Sequence, residues 1–131
     1  MKNKESIELN NLPDIAIYGG DTTSWEVSLI NDYGKRMTVN EDLVCSATLS
    51  FMPLKMASGI VGSSVSPEPI LKKSGTLKPS LKGGTAALFQ FEESDTKHLR
   101  GKFIYQIEIQ VDNDIRIRQG YIYIRQNIDN A

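Results

Sequence analysis

Between residues 102 and 111 the side chains alternate: Phe103, Tyr105, Ile107, Ile109 and Val111 fall on one side, Lys102, Gln106, Glu108 and Gln110 on the other. Successive Cβ atoms of a strand point to opposite faces, so this period of two predicts a strand with one face in a core and one in water. The same rhythm places Trp25, Val27 and Leu29 opposite Ser24, Glu26 and Ser28, and Leu43, Cys45, Ala47, Leu49 and Phe51 opposite Ser46, Thr48 and Ser50. Further strands are expected over residues 14–18, 37–39, 85–91 and 115–124, with short or edge strands at 70–73 and 75–81. Asn31-Asp32-Tyr33-Gly34-Lys35 and Asp112-Asn113-Asp114 carry the residues that accept hairpin-turn backbone. In the last strand Ile115 and Ile117 follow one phase, but Tyr121, Ile122, Tyr123 and Ile124 are apolar on both faces, and Gly120 is read as a bulge that shifts the register.

No amphipathic stretch is long enough for more than one or two helical turns. A single turn is expected after residue 93, with Ser94 or Asp95 as its N-cap and Gly101 beyond its end. About seven to nine strands at turn spacing predict an all-β fold, an antiparallel sandwich. A closed barrel produces the same alternation.

The 131 residues suffice for one core, so residues 14–129 are read as a single domain and residues 1–13 as an N-terminal arm. Fifteen Lys and Arg against sixteen Asp and Glu give a net charge of −1, which supplies no broad attraction to nucleic acid or an anionic membrane. The N-terminus alternates polar and apolar residues where a secretory signal carries an apolar run, and no stretch approaches the roughly 20 apolar residues of a bilayer span. Neither nucleic acid nor membrane is expected as a partner. Cys45, the one cysteine, sits in an alternating run and is read as a small core hydrophobe. Residues 56–69, rich in Ser, Gly and Pro, read as a long loop.

Chemistry-bearing constellations are sparse, and no catalytic, cofactor or metal residues are assigned. His98 is the only histidine and lies in a polar turn without a cysteine or second histidine beside it. Asp112, Asn113 and Asp114 lack the alternating ligands and distal glutamate of an EF-hand loop. Gly19-Gly20-Asp21-Thr22 and Lys82-Gly83-Gly84-Thr85 lack the Gly-Lys-Ser/Thr ending of a phosphate loop. Lys72, Lys73, Lys78 and Lys82, with Arg116, Arg118 and Arg125, read as solvated edge residues or as one basic face. Phe103, Tyr105, Tyr121 and Tyr123 read as cross-strand core pairs. Part of Tyr121, Ile122, Tyr123 and Ile124 must still face outward, so these four are the candidate interface.

Taken in order, several segments resemble one family. They are Ile17-Tyr18-Gly19-Gly20-Asp21-Thr22, Asn31-Asp32-Tyr33-Gly34-Lys35, Gly84-Thr85-Ala86-Ala87-Leu88-Phe89, the run from Asp95 through His98 and Gly101 to Tyr105, and Gly120-Tyr121-Ile122-Tyr123-Ile124 with Asn127-Ile128. This succession resembles small phage tail proteins, in particular the immunoglobulin-like domain at the N-terminus of phage baseplate upper proteins and related virion proteins of phages and prophages of Gram-positive bacteria. The resemblance spans residues 15–129. It implies an immunoglobulin-like sandwich and a non-enzymatic structural protein of the virion, assembled in the bacterial cytoplasm. The implied partners are other tail or baseplate proteins and further copies of the chain as a homo-oligomer, with no cofactor. The chain ends at Ala131 without a coiled coil or receptor-binding domain, so a connector or accessory role is expected over host recognition. A carbohydrate-binding or adhesion β-sandwich module is the alternative.

Overall fold

The computed structural model describes residues 4–31, 33–40, 45–54 and 68–126. Eight strands form among them: β1 (Lys4–Glu8), β2 (Ile15–Tyr18), β3 (Ser24–Ser28), β4 (Cys45–Pro53), β5 (Leu71–Pro79), β6 (Thr85–Gln90), β7 (Gly101–Val111) and β8 (Asp114–Arg125). They hydrogen-bond in the order β1-β3-β6-β5-β4-β7-β8-β2. The fold is all-β, as the alternation predicted. It is not purely antiparallel: β1 runs parallel to β3 and β2 parallel to β8, which makes the sheet mixed. Alternation specifies faces and carries no information on the direction of a neighbour, so these parallel pairs were not legible.

The sheet curls until its two halves face one another. Trp25 of β3 lies four strands from Tyr105 of β7, yet their ring centroids are 5.2 Å apart in an edge-to-face contact. Phe51 and Phe91 complete the cluster at 6.0 and 5.1 Å from Trp25. Leu49, Phe89, Ile107, Ile122 and Ile124 surround it, all essentially without solvent contact. Truncating an aromatic in such a position costs about 3–5 kcal/mol.

β5 makes the corner. Its first half, from Leu71 to Gly75, pairs with β4, and its second half, from Thr76 to Pro79, pairs with β6. A Cβ on Gly75 would stand 2.6 Å from the Phe89 ring, so the residue at the corner can carry no side chain. The sequence reading of two short edge strands here is corrected to one continuous nine-residue strand at mid-sheet. Among the described residues each half pairs with one strand only, and Lys72 and Lys78 are exposed.

Other expectations are corrected in the same way. Residues 37–39 form no strand: Met37 N–H donates to Leu29 O, Thr85 N–H to Met37 O, and Val39 N–H to Thr85 Oγ1. The turn at Asn31 does form, closed by the Ile30–Arg36 bridge and by Asn31 Oδ1, which accepts from Tyr33 and Lys35 N–H. The segment read as an N-terminal arm is part of the domain, since β1 pairs with β3 and Ile7 and Leu9 are buried in the core. Glu26 and Ser28, expected in water, are buried, and Ser80 Oγ donates to Glu26 Oε1 at 2.7 Å. Cys45 is half-buried at the start of β4 rather than central. Residues 56–67 of the expected loop and residues 43–44 of the expected strand lie outside the described residues.

Helix α1 (Glu93–Thr96) is the expected single turn, but its N-cap is Glu92, not Ser94 or Asp95. Asp95 sits at the third helical position, and its Oδ2 accepts from Glu92 N–H at 2.8 Å and from Lys73 Nζ at 2.7 Å. Burial works to raise the Asp95 carboxyl, but these two donors and the Lys73 charge outweigh it and hold the group below its ordinary value. The contact ties α1 to the middle of the sheet.

Candidate functional site

The β7–β8 hairpin supplies the most distinctive surface of the molecule. Its register is unbroken over eleven pairs, from Val111 opposite Asp114 to Gly101 opposite Ile124. The bulge expected at Gly120 is therefore absent. Gly120 lies opposite Tyr105, and a Cβ there would come within 2.7 Å of the phenol ring. The glycine leaves room for an aromatic laid across the neighbouring strand, which keeps the register instead of shifting it.

With the register unbroken, parity alone assigns the faces of β8. Ile122 and Ile124 point into the core at 0% and 1% exposure, while Tyr121 and Tyr123 stand outside at 44% and 50%. The four-residue candidate interface thus divides. Ile122 and Ile124 are core side chains, and Tyr121 and Tyr123 remain as surface. Ile115 and Ile117, read as one phase of the strand, share the outer parity and are exposed at 54% and 46%. Tyr18 of β2, in register with Arg125, is also exposed. The sequence held the signal that adds Ile115 and Ile117 to the surface: all four residues are odd-numbered, and only the assumed bulge separated them.

Cross-strand pairs set the chemistry of the outer face. Tyr121 is opposite Ile104, which is opposite Met52 of β4, so an apolar row crosses three strands. Tyr123 is opposite Lys102, whose ammonium reaches diagonally over the Tyr121 ring at 4.5 Å from its centroid. The Arg125 guanidinium lies 5.9 Å from the centroid of Tyr123. Each contact is worth about 0.5–1 kcal/mol at an exposed site and holds a ring in a fixed attitude. Gln119 Nε2 donates to Gln106 Oε1 at 2.8 Å in the next row. A hollow of about 220 Å³ opens beside Tyr121, lined by Ile104, Gln119 and Gly120.

On the inner face the Tyr105 hydroxyl donates to Pro13 O, fastening β7 to the segment between β1 and β2. Burial, with the nearby Asp14 charge adding to it, pushes the Tyr105 phenol well above its ordinary range.

The remaining sequence candidates separate. Gly20 N–H donates to Thr96 Oγ1, Gly19 N–H to Arg125 O, and Asp21 N–H to Tyr18 O. Gly83 N–H donates to Ser80 O and Lys82 N–H to Ser80 Oγ. Both glycine turns spend these amides inside the fold, where a phosphate cradle would direct them outward. Asp112, in left-handed backbone at φ 55°, and Asn113 form the hairpin turn. Among the described residues no three His, Cys, Asp or Glu side chains gather in a metal-binding arrangement. His98 is exposed beyond α1. The basic residues do not share a face: Lys73 turns to Asp95 while Lys72 points out, and Arg116 and Arg118 have the inner parity of β8 while Arg125 has the outer. A cleft of about 690 Å³ opens where β5 leaves β4, with Cys45, Leu77 and Lys78 in its wall.

Comparison with known proteins finds no family model and no curated protein that matches this chain.

Proposed function

We propose that this chain is a non-enzymatic structural protein of a phage or prophage virion, a tail or baseplate component that assembles through protein contacts. The observation that carries the reading is the outer face of β7 and β8, where Tyr121, Tyr123, Ile115 and Ile117 stand exposed on an unbroken strand. Tyrosine is enriched in the cores of protein interfaces, since it offers broad apolar area with a polar end at low entropic cost.

The ordered segments of the resemblance also fall on coherent elements. The Gly-Asp-Thr turn follows β2, the run from Asp95 to Tyr105 leads from α1 into β7, and the Gly-Tyr run lies within β8. The strand neighbours β3-β6-β5 and β4-β7-β8 follow the B-E-D and C-F-G order of an immunoglobulin domain, which supports the immunoglobulin-like sandwich reading. The buried tryptophan stands on β3, where immunoglobulin domains carry theirs on the strand corresponding to β4.

The test is the joint substitution Tyr121→Ser and Tyr123→Ser. Binding to proteins encoded beside this gene is expected to weaken at least about tenfold, with the thermal midpoint shifted by no more than about 3 °C. Loss of folding, or unchanged binding, would remove the face from the proposal. The carbohydrate-binding alternative draws on the same two tyrosines, but Lys102 and Arg125 already cover both rings. Glycan-array binding lost in the double variant would favour that alternative over assembly.

A further inference from the structure

We infer that the open edge of β8 pairs with the same edge of a second copy of this chain, antiparallel, about a two-fold axis at Arg116. The inference narrows the assembly reading to one partner and rests on strand geometry.

β2 covers β8 only from Ile122 to Arg125, and among the described residues no strand lies on that side of residues 114–121. Which backbone groups face the opening follows from one hydrogen bond. Gly19, just beyond β2, donates its N–H to Arg125 O at 2.8 Å, so the polar groups of Arg125 face the β2 side. Backbone N–H and C=O directions alternate along a strand, and the unbroken register carries the alternation back to the turn. Ile115, Ile117, Gln119 and Tyr121 therefore present N–H and C=O to the open edge, while the even-numbered residues give theirs to β7. Proteins ordinarily guard such edges with charged side chains, Pro or a bulge; residues 114–121 have no Pro and no bulge, and their charges, Asp114, Arg116 and Arg118, are of both signs, which a second copy can pair. Arg118 Nη1 covers part of this edge by donating to Ile117 O at 2.9 Å.

The register follows from charge and from β2. With Arg116 on the axis, Asp114 stands opposite Arg118 of the second copy and Ile115 opposite its Ile117, twice each by symmetry. Residues 115 and 117 both direct their polar groups outward, so the two copies exchange four backbone hydrogen bonds. Arg118 moves from the Ile117 carbonyl to the partner's Asp114. The two Arg116 side chains near the axis are each drawn off it by their own Asp114, at 3.6 Å, and by Ile30 O, at 3.4 Å. Shifting the axis to Ile117 sets Arg116 against Arg118 in both directions and drives the partner's turn at Asp112 against Ile122, where β2 begins. Shifting it to Ile115 leaves a ladder of only three residues, because Asp112 at φ 55° already belongs to the turn.

Sedimentation of the full chain tests this with two charge variants. Asp114→Arg alone and Arg118→Asp alone each oppose like charges in both symmetric pairs, and each is expected to raise the dimer dissociation constant at least about tenfold. An equimolar mixture of the two restores complementarity and is expected to return the dimer. Ile117→Pro removes an edge-facing N–H without touching the β7 ladder, so it is expected to abolish the dimer while leaving the circular dichroism and thermal midpoint close to wild type. A wild-type chain that stays monomeric at its highest soluble concentration overturns the pairing and leaves assembly on other proteins standing. A dimer that survives Ile117→Pro overturns the edge as its site.

Discussion

Tyr105 joins three features that a period-two reading treats separately. Its ring packs edge-to-face on Trp25, its flank lies over Gly120, and its hydroxyl donates to Pro13 O. Tyr105→Phe keeps the ring and removes only the hydroxyl, so the expected loss is about 1 kcal/mol, a fall in midpoint of roughly 3–5 °C by thermal melt. The same variant changes the alkaline behaviour. The folded phenol titrates above its unfolded value, so its contribution is complete below about pH 10 and declines at higher pH as the unfolded chain ionises. Tyr105→Phe should flatten the fall in stability above pH 10; an unchanged slope would show that other groups govern it. That Tyr105 is inward was legible from its neighbours Phe103 and Ile107. That its hydroxyl is satisfied by residue 13 was not, because a contact across 92 positions leaves no local trace.

Gly120 shows how an element can be read correctly and its register wrongly. A glycine inside a strand signals a bulge or a close approach, and the sequence does not say which. Here it is close approach, so the parity of β8 never changes. Gly120→Ala should cost about 1–3 kcal/mol in a denaturation experiment, because the ring it would strike is held between Trp25 and Pro13. In a Tyr105→Leu background the same substitution should cost less than half as much, since the two residues act as a pair; equal costs would place the strain elsewhere. The strands with strong alternation, β3, β4, β6 and β7, were legible in place and in their inward face, while the burial of Glu26 and Ser28 on the other face of β3 was not. β5 reads as two strands, 70–73 and 75–81, because a strand that changes partner at Gly75 has weak alternation on either side of the corner. The candidate site was half legible: Tyr121 and Tyr123 belong to it, Ile122 and Ile124 to the core, and Ile115 and Ile117 joined it only once the register was known.

At the scale of the whole chain, β5 binds the two ends of the sheet into one body, since β4 and β6 both depend on it. Unfolding should accordingly be a single transition, with Trp25 fluorescence and far-ultraviolet circular dichroism coinciding along a denaturant series; separated midpoints would mean that the corner does not couple the halves. Closure is completed by the N-terminal residues, where β1 lies on one edge of the order and β2 on the other, six residues apart. Because β2 runs parallel to β8, Ile15 sits beside Ile122 and Tyr18 beside Arg125. Tension entering ahead of Ile15 and leaving beyond Arg125 pulls these neighbours lengthwise in opposite directions. All the hydrogen bonds between them must then yield together, whereas an antiparallel pair loaded from one end unzips bond by bond. Under such a load the β2–β8 seam is expected to resist in shear, as is the parallel β1–β3 pair that lies ahead of it in the chain.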